Sequence, residues 1–191
     1  MCGRFSQAYS LEQFDSCLKN VEKYTEWGFR YNIAPQQKAA VLVSSKINHV
    51  LVSLLWGIVP YWSKLSSNRI INARSETVLK KVTFKEAILE RRCIIPVDGY
   101  FEWSSTKGDK QPYRIFSKNG ELLLLAGLWN SPAHTSKDSI GGFTIITTVA
   151  NNKLSNLHNR MPVIVRPEDA KQWLNRDLKG HEIINFFKPV I

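Results

Sequence analysis

Short apolar runs rich in β-branched and aromatic residues dominate this chain, and stretches with helical spacing flank them. Ser10-Leu11-Glu12-Gln13 reads as a capping box, with Leu11, Phe14, Leu18 and Val21 following at helical spacing. Together they predict a helix over about residues 11–22. Residues 39–44 and 50–56 read as buried strands separated by a polar turn. Thr83-Phe84-Lys85-Glu86 reads as a second capping box, opening a short helix to about Leu89. Residues 93–97, 100–103, 113–116, 122–128 and 143–149 then read as strands. Gly99, Gly108-Asp109, Asn119-Gly120 and Gly141-Gly142 punctuate them, and Asn119-Gly120 is the strongest hairpin signal in the chain. Residues 162–165 lead into a helix with Pro167 near its first turn and Trp173 and Leu174 on its apolar face. A last short helix is expected over about residues 181–187. Strands dominate and helices flank them, which predicts an α+β fold. No strand, glycine-rich loop and helix follow one another, so a nucleotide-binding α/β fold is not expected.

The composition narrows the class of protein. The chain has 191 residues, a length that predicts one domain, residues 1–191. With 43% hydrophobic and 22% charged residues it is neither disordered nor fibrous. Its longest charge-free run, residues 47–63, is interrupted by Asn48, His49 and Pro60, which makes a poor membrane span. No secretory leader is expected. Cys2, Cys17 and Cys93 show no CxxC spacing, so neither a zinc site nor a disulfide framework is expected. An odd cysteine count without a framework points to a reducing compartment, and cytoplasm is the expected location. The net charge of +10 makes a polyanion the first partner to consider, with solubility as the plain alternative. No basic amphipathic helix calls for a membrane surface, and no apolar helical seam calls for a dimer, so a monomer is expected.

Five segments carry candidate chemistry. Trimming of Met1 would leave Cys2 with an α-amine (pKa ~7.7–8.0) beside its thiol (pKa ~8.5). A 1,2-aminothiol condenses with an aldehyde to an imine, and sulfur then closes a thiazolidine ring. The plain alternative is an incidental residue on a frayed terminus. In the run from Trp56 to Trp62, Trp56 suits the core, while Trp62 suits stacking on an unpaired base. Asn72 and Arg74, two apart in an extended segment, point the same way, and Arg grips phosphate bidentately. Glu102 sits inside an aromatic strand, where a carboxyl is either paired or raised in pKa, unless it lies on the wet face of an edge strand. His158, between a turn and an apolar strand and near Arg160, suits proton transfer near neutral pH or a plain loop hydrogen bond.

Six motifs follow one another in order. They are Met-Cys-Gly-Arg-Phe at the start, Tyr31-Asn32-Ile33-Ala34-Pro35, Trp-Gly-x-x-Pro-x-Trp, Ile-Asn-Ala-Arg-x-Glu, Asp-Gly-Tyr-Phe-Glu-Trp and Leu-His-x-Arg-Met-Pro. In these the chain resembles the SOS-response-associated peptidase family, also called abasic-site processing proteins. The resemblance runs from Cys2 to about Val165 and more loosely to Pro189-Val190. It implies one compact α+β domain around a curved, barrel-like, mainly antiparallel sheet with a basic DNA channel. It implies binding of single-stranded DNA that contains an abasic site, and a thiazolidine crosslink between Cys2 and the ring-opened sugar aldehyde. That link would shield the lesion, with the protein joining the nucleoid on damage. By the resemblance the catalytic residues are Cys2, Asn72, Glu102 and His158. Arg74 and Arg160 hold phosphates, Arg4 stands near the reactive terminus, and Pro35 and Trp62 pack on bases. No metal or organic cofactor is implied, since the aminothiol is the reagent. Two departures stand out: Asn159 occupies a position where many relatives have Asp, and relatives usually continue beyond Ile191. Two alternatives accompany this reading. One is a thiol peptidase in which Cys2, His158 and Glu102 remove Met1. The other is a non-catalytic single-strand-binding module.

Overall fold

A computed structural model describes residues 2–25, 28–45, 48–60, 69–104, 111–130 and 141–189. The strands are β1 (Arg4–Gln7), β2 (Val21–Lys23), β3 (Arg30–Ile33), β4 (Lys38–Ser44), β5 (His49–Trp56), β6 (Asn72–Arg74) and β7 (Arg92–Val97). They continue with β8 (Gly99–Trp103), β9 (Pro112–Ile115), β10 (Leu123–Asn130), β11 (Gly142–Val149), β12 (Arg160–Pro162) and β13 (Ile164–Val165). Short helices α1 (Leu11–Cys17), α2 (Val82–Lys85), α3 (Ala87–Glu90), α4 (Ala170–Leu174) and α5 (Gly180–Ile183) flank them. The α+β expectation holds.

The strands form two sheets. One runs β3-β1-β8-β9 and is antiparallel throughout. The other runs β12-β11-β10-β7-β4-β5-β2, with β13 on β10 and β6 on β11. The end of β5 also pairs in parallel with the start of β11, through Leu55–Gly142 and Trp56–Phe143. That contact curls the large sheet towards a barrel without closing it into one. The concave side is filled by Val41, Trp56, Ile95, Phe143 and Ile145, and the small sheet covers it with Phe5, Ile33 and Tyr100. Phe5 and Trp56 lie 4.7 Å apart between ring centroids, and Trp56 stacks on Phe143 at 6.2 Å. Such aromatic pairs add about 0.5–1.5 kcal/mol each to their area burial. The convex side is covered by the helices, through Phe84, Ile88 and Trp173. Buried Arg92 binds this layer by donating to the carbonyls of Trp173 (2.7 Å) and Leu89 (2.8 Å).

The first capping box forms as expected: Gln13 N–H donates to Ser10 Oγ at 3.2 Å, and Gln13 Oε1 accepts from Ser10 N–H at 2.9 Å. Three local expectations fail. The first helix stops at Cys17, because Asn20 takes a left-handed φ of 59° and turns Val21 into β2 beside β5. The second capping box does not form: α2 starts at Val82, which puts Thr83 inside the helix and not at its cap. Asn119-Gly120 does make a turn, with Gly120 at φ 74°, but it joins no hairpin. The strand before it pairs with β8 and the one after it with β7, β11 and β13, so the turn carries the chain between sheets. Gly108-Asp109 lies outside the described residues.

The curl of the large sheet rests on Gly142. A Cβ there would meet the Gly57 carbonyl oxygen at 2.5 Å, and backbone cannot swing away as a side chain can. The Gly57 N–H donates to Phe143 O at 2.7 Å across the same seam. Gly142→Ala is therefore expected to cost about 1–3 kcal/mol through overpacking. Thermal unfolding checks this, at about 2–4 °C of Tm per kcal/mol for a chain of this size. Among the described residues, no helix is long and apolar enough to cross a membrane.

Candidate functional site

Three strand pairings build the site. β1 lies between β3 and β8, with Arg4 opposite Phe101 and Phe5 opposite Tyr100, which brings the start of the chain alongside Glu102. β6 adds to β11 in parallel, with Asn72 opposite Ile145 and Arg74 opposite Thr147. β12 adds to the other side of β11, with Arg160 opposite Val149. The Cys2, Asn72, Glu102 and His158 that lie far apart in sequence are thereby drawn into one cluster.

Cys2 is fully buried with Phe5, Trp56 and Tyr100, so the frayed-terminus alternative is excluded. Its thiol donates to the Arg4 carbonyl at 3.8 Å, a long contact suited to sulfur. Its own carbonyl accepts from Asn72 Nδ2 at 3.1 Å. The other end of that amide, Oδ1, is buried and has no hydrogen-bond partner among the described residues. Burial pushes the Cys2 thiol far up in pKa, and the negative charge of Glu102 pushes it further. The resting site therefore holds a thiol and not a thiolate.

Glu102 is 4% exposed on a strand interior to its sheet, which excludes the edge-strand alternative. Burial raises its pKa above the ordinary carboxylate value, while the positive charge of the chain's amino terminus, and of His158 when it is protonated, pulls the other way. A carboxyl so placed keeps its proton to higher pH than usual. His158 is half-buried. Its Nδ1 accepts from the Arg160 N–H at 2.9 Å, which leaves the proton of the neutral ring on Nε2.

The arginines stand round this cluster in three different states. Arg4 donates to Asn32 Oδ1 at 3.0 Å, which ties β1 to β3. Arg160 makes a fork to both carboxylate oxygens of Glu76 and donates to Thr147 O at 2.6 Å. That fork holds the Glu76 carboxyl below its ordinary pKa. Arg74, next to it across β11, is exposed. Pro35 follows β3 and is half-buried beside the left-handed Gln36, while Trp62 lies outside the described residues. Trp56 belongs to the core, as expected. Sequence reasoning assigned no role to Asn32 or Glu76. Each sat inside a quoted motif, but partners 28 and 84 residues away leave no local signal. Among the described residues, no three His, Cys, Asp or Glu side chains converge as metal ligands.

The family model described as "SOS response associated peptidase (SRAP)" matches residues 1–190. The chain is 36% identical over 186 residues to the abasic site processing protein YoqW of Bacillus subtilis, covering 92% of this chain and 80% of YoqW. It is 32% identical over 188 residues to the abasic site processing protein YedK of Escherichia coli, covering 95% and 83%. A crystal structure of a protein from Bacteroides thetaiotaomicron superimposes with a TM-score of 0.84 at 25% identity, over 98% of this chain and 87% of that one. The chain belongs to the SOS response associated peptidase family.

Proposed function

We propose that this protein binds single-stranded DNA at an abasic site and joins Cys2 to the ring-opened sugar as a thiazolidine. The observation that carries the reading is Cys2 itself, buried two residues before β1 and held through its carbonyl by Asn72, beside a protonatable buried carboxyl. The relatives' printed names, abasic site processing proteins, support the same substrate.

The steps balance without an oxidant or a metal. Hydrolytic removal of Met1 frees the α-amine of Cys2. The amine attacks the sugar aldehyde, and the carbinolamine oxygen leaves as water after taking a proton from Glu102. The Cys2 sulfur then adds to the imine carbon; the new C–S bond forms, nitrogen ends as an amine, and the Glu102 carboxylate recovers the thiol proton. The raised pKa of Glu102 suits both roles, acid first and base second. Asn72 fixes Cys2, and its second polar atom, Oδ1, is placed to accept from the amine or a sugar hydroxyl. The Nε2–H of His158 assists proton transfer. Arg4, Arg74 and Arg160 receive the flanking phosphates, and Pro35 and Trp62 pack against bases.

The test incubates protein of verified mass, lacking Met1, with a strand carrying one abasic site and with an undamaged control. A slow band on a denaturing gel without reductant, seen only with the abasic strand, is the expected result. No band would discard the crosslinking reading. Equal non-covalent binding of both strands would then favour a plain binding module. Removal of Met1 by the protein itself would favour the peptidase.

Glu76 gives a second, independent prediction. It occupies Arg160 as a phosphate would, while Thr147 O holds the guanidinium from the other side. Glu76→Gln should tighten single-strand binding about three- to tenfold at low salt. The slope of log K against log salt should steepen by about 0.7, one phosphate's worth of released counterion. Salt titration by fluorescence anisotropy checks both.

A further inference from the structure

Tyr113 has no part in the chemistry above, yet it stands on β9 directly opposite Glu102 on β8. Residues paired across antiparallel strands project from the same face, with Cβ atoms about 4.5–5.5 Å apart. The two side chains therefore start as neighbours on one face of the sheet. Their surroundings differ sharply: Glu102 is 4% exposed and Tyr113 is 49% exposed. The next pair on that face, Tyr100 and Ile115, turns into the core. Tyr113 thus stands at the rim where the buried site meets solvent.

The opposite rim is built similarly. Beyond β1 in the small sheet lies β3, whose last residue, Ile33, pairs with Phe5. Pro35 follows two residues later, half-buried. Glu102 accordingly has a rigid proline towards one edge of its sheet and a half-exposed aromatic ring towards the other.

We propose that Tyr113 forms a stacking subsite for the nucleobase adjoining the abasic gap. This rests on the abasic-site reading above. An abasic nucleotide has lost its base, so its neighbour has one face without a stacking partner. An aromatic ring beside the reacting carboxyl supplies that face, and it tolerates any base because every base has a π-face. The ring, not the hydroxyl, is the working part. Held this way, the neighbouring base fixes the opened sugar over Cys2 and Glu102.

The experiment uses the full chain with Met1 removed, and the variants Tyr113→Phe and Tyr113→Leu. Two labelled strands are compared: one with a single abasic site between ordinary nucleotides, and one in which both flanking nucleotides are also abasic. Anisotropy reads binding, and the denaturing gel reads crosslinking. With flanking bases present, Tyr113→Leu should bind about 5- to 150-fold more weakly, the range for losing one base–aromatic stack. Tyr113→Phe should match the parent. With flanking bases absent, parent and Tyr113→Leu should converge. Parent-like binding by Tyr113→Leu on the first strand, or an equal loss on both strands, overturns the subsite. Failure of the parent to crosslink, with the anisotropy pattern intact, overturns the crosslinking reading and leaves the stacking subsite standing.

Discussion

Cys2→Ser protein is expected to give no reductant-free crosslink at all. The α-amine survives the change, so the imine still forms. The hydroxyl that replaces sulfur is a poor nucleophile, and any ring it closes reopens. Borohydride should therefore recover a band from Cys2→Ser that is absent without it. The fold should survive, because the change takes little volume from a position that is already fully buried. An unchanged Tm would separate loss of chemistry from loss of structure. A reductant-free band of equal yield would refute the thiazolidine.

Glu102→Gln carries the second largest effect, in two opposite directions. Removing a positioned acid and base typically lowers a rate by about 10²–10⁴-fold, and single-turnover crosslinking should slow by that order. Stability should rise. The folded protein holds the Glu102 proton more tightly than the unfolded chain, where the carboxyl titrates near its ordinary value of about 4.3. Above that value the folded state binds more protons than the unfolded one, so this group makes stability fall as pH rises towards the folded pKa. A neutral amide removes that slope. Unfolding of Glu102→Gln at neutral pH should shift up by a few degrees, at about 2–4 °C per kcal/mol. The gap from the parent should shrink as pH falls to 4. A variant that crosslinks at the parent rate would remove Glu102 from the mechanism.

How much of this was legible in the sequence depended on range. The strands β4, β7, β10 and β11 were readable because burial on both faces leaves long apolar runs, as in residues 39–44. The capping box at Ser10 was readable because both partners lie three residues apart. The end of α1 was not, since Val21 continues the helical spacing and only its pairing with His49 of β5 makes it a strand. Asn119-Gly120 misled for the same reason: turn chemistry fixes the bend, but the partners of the flanking strands are set elsewhere. At the site, the ordered motifs named Cys2, Asn72, Glu102 and His158. They could not show that Asn72 grips the Cys2 backbone, or that Glu76 occupies Arg160, because the first contact joins β6 to the start of the chain and the second needs β6 and β12 on either side of β11.

The placing of β1 has a mechanical consequence. Its neighbours β3 and β8 both hydrogen-bond to it, and Cys2 lies two residues before its first residue, Arg4. Tension on a strand joined at Cys2 would pull β1 along its own length between two fixed neighbours. Bonds on both sides would then share the strain in shear and would have to fail together, whereas an edge strand peels open one bond at a time. A tether rooted there would resist force far better than the same bond made at a loose tail.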